Sequence, residues 1–482
     1  MKIQIDNFGP IHRFECDLDK DLHLILGTNN IGKSYAITVV YLLLKSFIEA
    51  RKKCDFSGFN FDEEDISDDM LDKRLVQQSE EEAVVMDILK GRIAEALAKE
   101  VLEQFQHYFR GTYNSINAVD NKFSREELRI DLQFDEIDIS VGIVEGTFRV
   151  KELTIKSNTR LIYKKVSRNE RKQILYVLMV GDKKKYIRTK LRLYAVYSLL
   201  CRKVFVETRD RISNIHYLPA SRSGLYAALS AFGQIFAELA KSRAFLKSGI
   251  ELPGIAVPVS DYFLELSQID PNQKREQDDP IQRIAEDIEN HILKGKVEFD
   301  KETRKLFYTP DGSGGLRLDM DATSSMVSEL SPIVSFLRYI ISKPARKQRA
   351  LQSLEIRQEG SLPQPLLFIE EPEAHLHPEN QVRLMAAFAA LANAGVKVML
   401  TTHSDFLFNK LNNLILEKRI DTAAVSAMLF KQTDKGGEAV PLAMDDLGIE
   451  DENFIDATER LYDEKVDLID RMNRDGDDGD AE

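Results

Sequence analysis

The sequence predicts an α/β fold, and three observations carry it. Near the start, the apolar run over residues 22–26 leads into a Gly/Asn-rich loop and a helix from about residue 33. A second apolar run, Leu366–Ile369, ends abruptly in two glutamates and is followed by a helical stretch reaching residue 392. A third, over residues 396–401, ends beside a histidine.

Taken in order, Ile3 and Ile5 alternate with Lys2, Gln4 and Asp6, the pattern of a half-buried strand. Asn7-Phe8-Gly9-Pro10 reads as a turn, residues 22–26 as the next strand, and residues 33–51 as a helix. An acidic stretch fills 55–82. Val84, Val85, Ile88, Leu89, Ile93, Leu97 and Val101 then recur at helical spacing within 83–110. Over 127–190 the pattern changes to alternation, at Leu128–Leu132, Phe148–Ile155, Leu161–Tyr163 and Leu175–Val177, which predicts an antiparallel β insertion. Helices are expected over 191–212 and 224–247, a hairpin over 296–308 and a helix over 326–342. The Gly/Asp-rich tail from Asp475 is expected to fray. No internal repeat is visible.

Composition bounds the function. The 482 residues are 43% hydrophobic and 30% charged, a folded composition long enough for about two to four domains. Sixty-six basic against 79 acidic residues give a net charge of −13, which argues against a general nucleic-acid binder. One window runs the other way: residues 151–203 hold 16 Lys/Arg against Glu152, Glu170 and Asp182, a net of +13. That window reads either as solvated hairpin faces or as a surface for nucleic acid, with Tyr163, Tyr176 and Tyr186 available to stack bases or to pack. Cys16, Cys54 and Cys201 lie far apart and form no CxxC, so a disulfide framework is disfavoured and a reducing, cytoplasmic setting is expected. The start of the chain lacks a signal pattern, and the apolar run Ala36–Leu44 is too short to cross a bilayer, so no membrane partner is expected.

Residues 27–34 read Gly27-Thr28-Asn29-Asn30-Ile31-Gly32-Lys33-Ser34, the full GxxxxGKS pattern. Gly27 and Gly32 allow the backbone N–H groups, including those of Asn29 and Asn30, to turn inward around phosphate oxygens, and the helix beginning here points its positive end at the same anion. Lys33 is placed to reach the β and γ phosphates of ATP, and Ser34 to give a hydroxyl to Mg2+. The bland alternative is a glycine turn before a helix. Glu370 and Glu371 close an otherwise apolar strand, which suits a cation and a water: Glu370 for Mg2+, Glu371 to polarise the attacking water. The alternative is a solvated strand end. His403, just past another apolar strand, is a candidate γ-phosphate contact. His375 and His377 form an HxH whose only near partners for zinc are Glu373 and Glu379, and it reads better as a turn.

GTNNIGKS, LLFIEEPEAHLHPENQ and LTTHSDFLF, in this order, resemble the ABC-type ATPases of the SMC/RecF-like group. Within that group the set is similar to the AAA-family ATPases of the OLD- and PARIS-like bacterial anti-phage defence systems. The resemblance covers roughly residues 1–50 and 320–420. It implies an ABC-type P-loop ATPase head with a mixed β/helical insertion and a helical second lobe. The head would occupy 1–54, a return segment 214–250 and 351–474. The insertion would span 55–213, the second lobe 251–350 and an acidic tail 475–482. It further implies a signature segment at Ala322–Leu330, with Ser324 and Ser325 facing the ATP of a second subunit, although Met326 stands where a glycine is usual. It makes Tyr217–Gly224 a counterpart of the Q-loop, with Arg222 supplying charge near the phosphates, and makes Ala374 to Pro378, with His375 and His377, a D-loop at the dimer seam. His12 and Arg13 become candidates for the adenine. The implied partners are a homodimer or higher homo-oligomer and a separate effector, a nuclease or a toxin, because the 79 residues after His403 are short for a nuclease module. Two readings from other classes stay open: a RecF-like repair ATPase that binds DNA directly, and an ATP-binding scaffold without turnover.

Overall fold

The computed structural model describes residues 1–53, 90–156 apart from 92 and 125, 159–168, 171–180, 204–228, 255–342 apart from 274 and 277, 363–445, 448–449 and 462–469. The acidic stretch 55–82, Cys54, Cys201, Tyr186, the expected helix over 229–247 and the tail lie outside the described residues. Among those described, no helix is long and apolar enough to cross a membrane.

The chain opens with β1 (Lys2–Phe8), β2 (Ile11–Asp17), β3 (Leu22–Gly27) and α1 (Lys33–Lys53). Next come α2 (Glu103–Tyr113), β4 (Arg129–Gln133), β5 (Ile137–Val144), β6 (Thr147–Ile155), β7 (Thr159–Arg168) and β8 (Arg171–Val180). Then follow β9 (Ile212–Leu218), α3 (Val257–Ser267), α4 (Pro280–Ile288), β10 (Gly295–Asp300), β11 (Lys305–Pro310), β12 (Leu318–Asp319) and α5 (Ser325–Ser335). The last third holds β13 (Gln364–Glu370), α6 (Pro378–Asn393), β14 (Lys397–Thr402), α7 (Asp405–Leu416), β15 (Val425–Thr433) and β16 (Gly436–Pro441).

One large sheet organises the described residues, in the order β6-β5-β4-β1-β2-β16-β15-β3-β14-β13-β9. From β15 to β9 the neighbours are parallel. From β6 to β2 they are antiparallel. The parallel strands are buried on both faces, which is why they read as unbroken apolar runs. Strand alternation divides their side chains: Ile25, Phe368 and Met399 join the cluster under α1 and α2, while Leu24, Leu26, Leu367, Ile369 and Leu400 join the cluster holding α4 to α7.

Several expectations are corrected. Residues 11–17, read as loop, form β2, whose buried Ile11, Phe14 and Cys16 are separated by polar residues that hide the pattern. The strand β5 was also missed. The helix expected to reach 212 ends at 211, where the chain enters β9; residues 191–203 of that expected helix lie outside the described residues. The β-rich insertion is present as an antiparallel segment: β4 pairs beside β1, Ile3 opposite Leu132 and Ile5 opposite Ile130, so β4 to β6 widen the large sheet, while β7 and β8 form a separate two-stranded sheet. The expected second lobe packs on the sheet, and its Tyr262, Ile284, Val297 and Leu330 share a core cluster with residues of β3 and β13. After His403 the chain adds the β15–β16 hairpin to the sheet, where sequence reasoning placed no strand.

That hairpin lies directly against the phosphate loop. Gly437 donates its N–H to the carbonyl of Pro10 (2.8 Å), and a Cβ at position 437 would overlap the carbonyl oxygen of Ile31. Neither neighbour is a flexible side chain, so Gly437→Ala is expected to destabilise the protein by about 1–3 kcal/mol, measured by denaturant unfolding.

Candidate active site

Strand register brings the three sequence motifs to one place. Leu22–Leu26 on β3 pair with Val398–Thr402 on β14, and Leu366–Glu370 on β13 pair with Lys397–Thr401. The carboxyl ends of these strands therefore finish side by side, where ligands bind in open parallel sheets.

The loop after β3 has the conformation its glycines permit. Gly27 has φ +145° and Gly32 φ +109°, with Asn30 at +61°. A Cβ on Gly27 would crowd Phe430, and one on Gly32 would crowd Ile11. Thr28, Asn29 and Asn30 are exposed, while Lys33 is buried. The Lys33 ammonium donates to the carbonyls of Gly27 (2.9 Å) and Thr28 (2.8 Å) and lies 3.1 Å from His403 Nε2. Burial pushes it down to about 8, against the opposing pull of Glu371 and Glu373.

Glu371 sits just past β13 with φ +42°, its N–H held by the carbonyl of Thr401 (2.9 Å). Its Oε1 lies 3.5 Å from His403 Nε2. The His403 hydrogen bond, with Lys33 beyond it, holds the carboxyl below the usual range, so Glu371 is a carboxylate at neutral pH. Three expected residues, Lys33, Glu371 and His403, thus form one contiguous cluster.

Glu370 faces α1. The hydroxyl of Tyr217 donates to Glu370 Oε1 (2.6 Å), so Thr38 Oγ1, 3.0 Å away, donates to Tyr217. Thr38 lies one turn after Ser34 on α1, on the same helix face, which brings the Ser34 hydroxyl and the Glu370 carboxylate to one side of the loop. A hydroxyl and a carboxylate are hard oxygen donors of the kind Mg2+ takes beside phosphate oxygens. Among the described residues no three His, Cys, Asp or Glu side chains converge as a metal cage. The donor set therefore fits a nucleotide-bound Mg2+.

Arg222 is corrected. It does not face the loop: it is fully buried, and its guanidinium is committed to Pro219, Glu329, Glu370 and Glu371. Ser324 caps α5 by accepting from Val327 N–H (3.4 Å), and both Ser324 and Ser325 are exposed. His375 has φ +62° in an exposed turn, and His377 caps α6 through Nδ1 (3.4 Å to Glu379 N). Asn380 near the start of α6 donates to Met326 Sδ (3.2 Å), which joins the signature-like and D-loop-like segments into one surface. His12 and Arg13 are occupied by Asn7 and Asp6 at the start of β2.

Sequence reasoning missed two site residues. Glu373 accepts the His403 N–H (2.7 Å), although its only visible signal was a third acid in EEPE. Tyr217 was read as part of a loop, and only the tertiary fold brings its hydroxyl to Glu370.

A phosphate loop, paired carboxylates and a strand-end histidine on a parallel sheet define a P-loop ATPase. The chain belongs to the AAA ATPase domain family, whose model matches residues 1–218 and 238–408, well over half of the chain. No curated protein matches it. Among solved structures it is similar to the SMC head domain from Thermotoga maritima, at 9% identity over 92% of this chain and 98% of that one, with a TM-score of 0.34. A second is the SmcHead bound to the C-winged helix domain of ScpA, at 11% identity over 92% and 97%, with a TM-score of 0.36. A third is a Pyrococcus furiosus Smc head domain with an extended coiled coil, bound to the C-terminal domain of ScpA, at 11% identity over 96% and 98%, with a TM-score of 0.34.

The Lys33 pKa makes a signed prediction. A cation whose pKa falls from 10.5 to about 8 on folding costs stability that is fully present below 8 and vanishes as pH rises toward 10.5. Phosphate meets a charged Lys33 below about 8, whereas above it a proton must first be taken up. ATP affinity, read with a fluorescent ATP analogue, is expected to weaken about tenfold between pH 7 and pH 9. A flat profile would show that this amine does not carry the phosphate contact.

Proposed function

We propose that the protein binds and hydrolyses ATP with Mg2+, and that two protomers close head to tail around two nucleotides. What supports it is the contact of Lys33, His403 and Glu371 within 3.5 Å at the ends of neighbouring parallel strands. Lys33 and the loop backbone at Asn29 and Asn30 hold the phosphates, and Gly27 and Gly32 let that backbone approach. Ser34 and Glu370 hold the Mg2+, which supplies charge neutralisation on the phosphate oxygens when bound. Glu371, kept ionised by its neighbours, accepts the proton of the attacking water. His403 contacts the γ-phosphate. Ser324 and Ser325 close on the nucleotide of the second protomer, with His375 and His377 at the seam. The exposure of these four residues suits such a face.

Binding would close the dimer and hydrolysis would open it, a nucleotide-driven switch. The resemblance to OLD- and PARIS-like ATPases extends the reading to control of a separate effector, a nuclease or toxin, in bacterial anti-phage defence. The charge of residues 151–203 supports a second reading, a RecF-like DNA-binding ATPase. DNA-stimulated hydrolysis with steep salt dependence would favour that second reading over the first.

Glu371→Gln is expected to lower ATP turnover by about 100-fold or more while ATP binding persists. Size-exclusion chromatography with ATP and Mg2+ should then show a larger, ATP-dependent species for the variant. Normal hydrolysis by Glu371→Gln would remove Glu371 from the role of base. No turnover and no change of size in either protein would favour a non-catalytic scaffold.

A further inference from the structure

Arg222 and Glu329 make a buried ion pair that the nucleotide site itself does not use. Both side chains are almost completely buried, with Arg222 Nε 3.3 Å from Glu329 Oε2. Glu329 is saturated locally. Its Oε2 accepts from Arg222 N (3.1 Å), and its Oε1 accepts from Ser223 N (3.1 Å) and Ser223 Oγ (2.6 Å). Such a pair is weak evidence for a stabilising purpose, because apolar residues of the same volume often serve stability as well. Its other end is informative. Arg222 Nη1 donates to the carbonyls of Pro219 (2.9 Å) and Glu370 (2.7 Å), and Nη2 donates to that of Glu371 (3.3 Å).

Those last two carbonyls flank the strained point of the site. Glu371 has φ +42°, a conformation that a non-glycine residue keeps only where its surroundings enforce it. Its N–H is pinned by Thr401, and its carbonyl by Arg222 and the N–H of Ala374. Arg222 is thus one of few restraints on this peptide, and it is anchored on α5 through Glu329.

We infer that Arg222 is a positioning residue: it fixes the Glu370–Glu371 backbone to α5, so the Glu371 carboxylate reaches Lys33 and His403 only while α5 stays in place. The inference rests on the reading of Glu371 as the base. Because Ser324 caps the start of α5, whatever displaces that helix end would misalign the carboxylate in the same protomer.

Arg222→Lys in the full chain tests it. Lysine keeps the charge opposite Glu329 but cannot span two carbonyls in a planar fork. The expected result is a fall in kcat of about tenfold or more, with the Kd of a fluorescent ATP analogue unchanged within about twofold. Wild-type kcat in the folded variant, or parallel loss of kcat and ATP affinity, overturns the inference. Should Arg222→Lys fail to fold by circular dichroism, Ser223→Ala removes only one bond to Glu329. There, a lower kcat at unchanged Kd supports the inference and an unchanged kcat overturns it. Glu371→Gln measured alongside separates the two readings. If it hydrolyses normally, the base assignment and this inference fall together. If it is inert while Arg222→Lys runs at full speed, only this inference falls.

Discussion

The pairing of β3 with β14 is the contact on which the rest of the structure depends. It joins Leu22–Leu26 to Val398–Thr402, segments from opposite ends of the sequence. The register is set by two buried faces. Shifting β3 by one residue would exchange Ile25 with Leu24 and Leu26 between the two core clusters. The same register fixes where Gly27 and His403 end relative to each other. The phosphate loop therefore gains its histidine partner through core packing, with the polar site as a by-product of apolar alignment.

Around that point the protein concentrates costly features. Lys33 is a desolvated cation, Glu371 has a strained backbone and Arg222 is a charge without solvent. Each persists because backbone groups surround it: the carbonyls of Gly27 and Thr28 for Lys33, the carbonyl of Thr401 for Glu371, and four further carbonyls for Arg222. Backbone carbonyls held in sheet and turn cannot move independently, so these groups stay ordered without a continuous network of side chains.

Legibility in the sequence followed contiguity. The phosphate loop, the LLFIEE strand and the strand before His403 could be read because each carries its chemistry within a few adjacent residues. The parallel strands were legible for a related reason, since burial on both faces leaves an unbroken apolar run. β2 and β9 were hidden by residues whose polar groups are satisfied elsewhere: Arg13 by Asp6, and His216 by Asn214 and Glu265. Arg222 was assigned to the phosphates through the resemblance of Tyr217–Gly224 to a Q-loop. Its burial depends on Glu329, 107 residues later, and no local pattern announces that pair. Tyr217 and Glu373 were missed for the same reason, as their partners are tertiary.

The order of strands has a consequence for synthesis. The hairpin β15–β16 lies between β2 and β3, so the first three strands cannot form a continuous sheet until residues beyond 425 exist. At about 5–20 residues per second, β3 waits roughly 20–80 seconds after leaving the ribosome for its final neighbours. Through that interval its largely apolar sequence LHLIL and the β2 edge of the β1–β2 hairpin lack their native neighbours. That edge closes only when the chain is complete, and in the finished protein residues 22–26 are all buried.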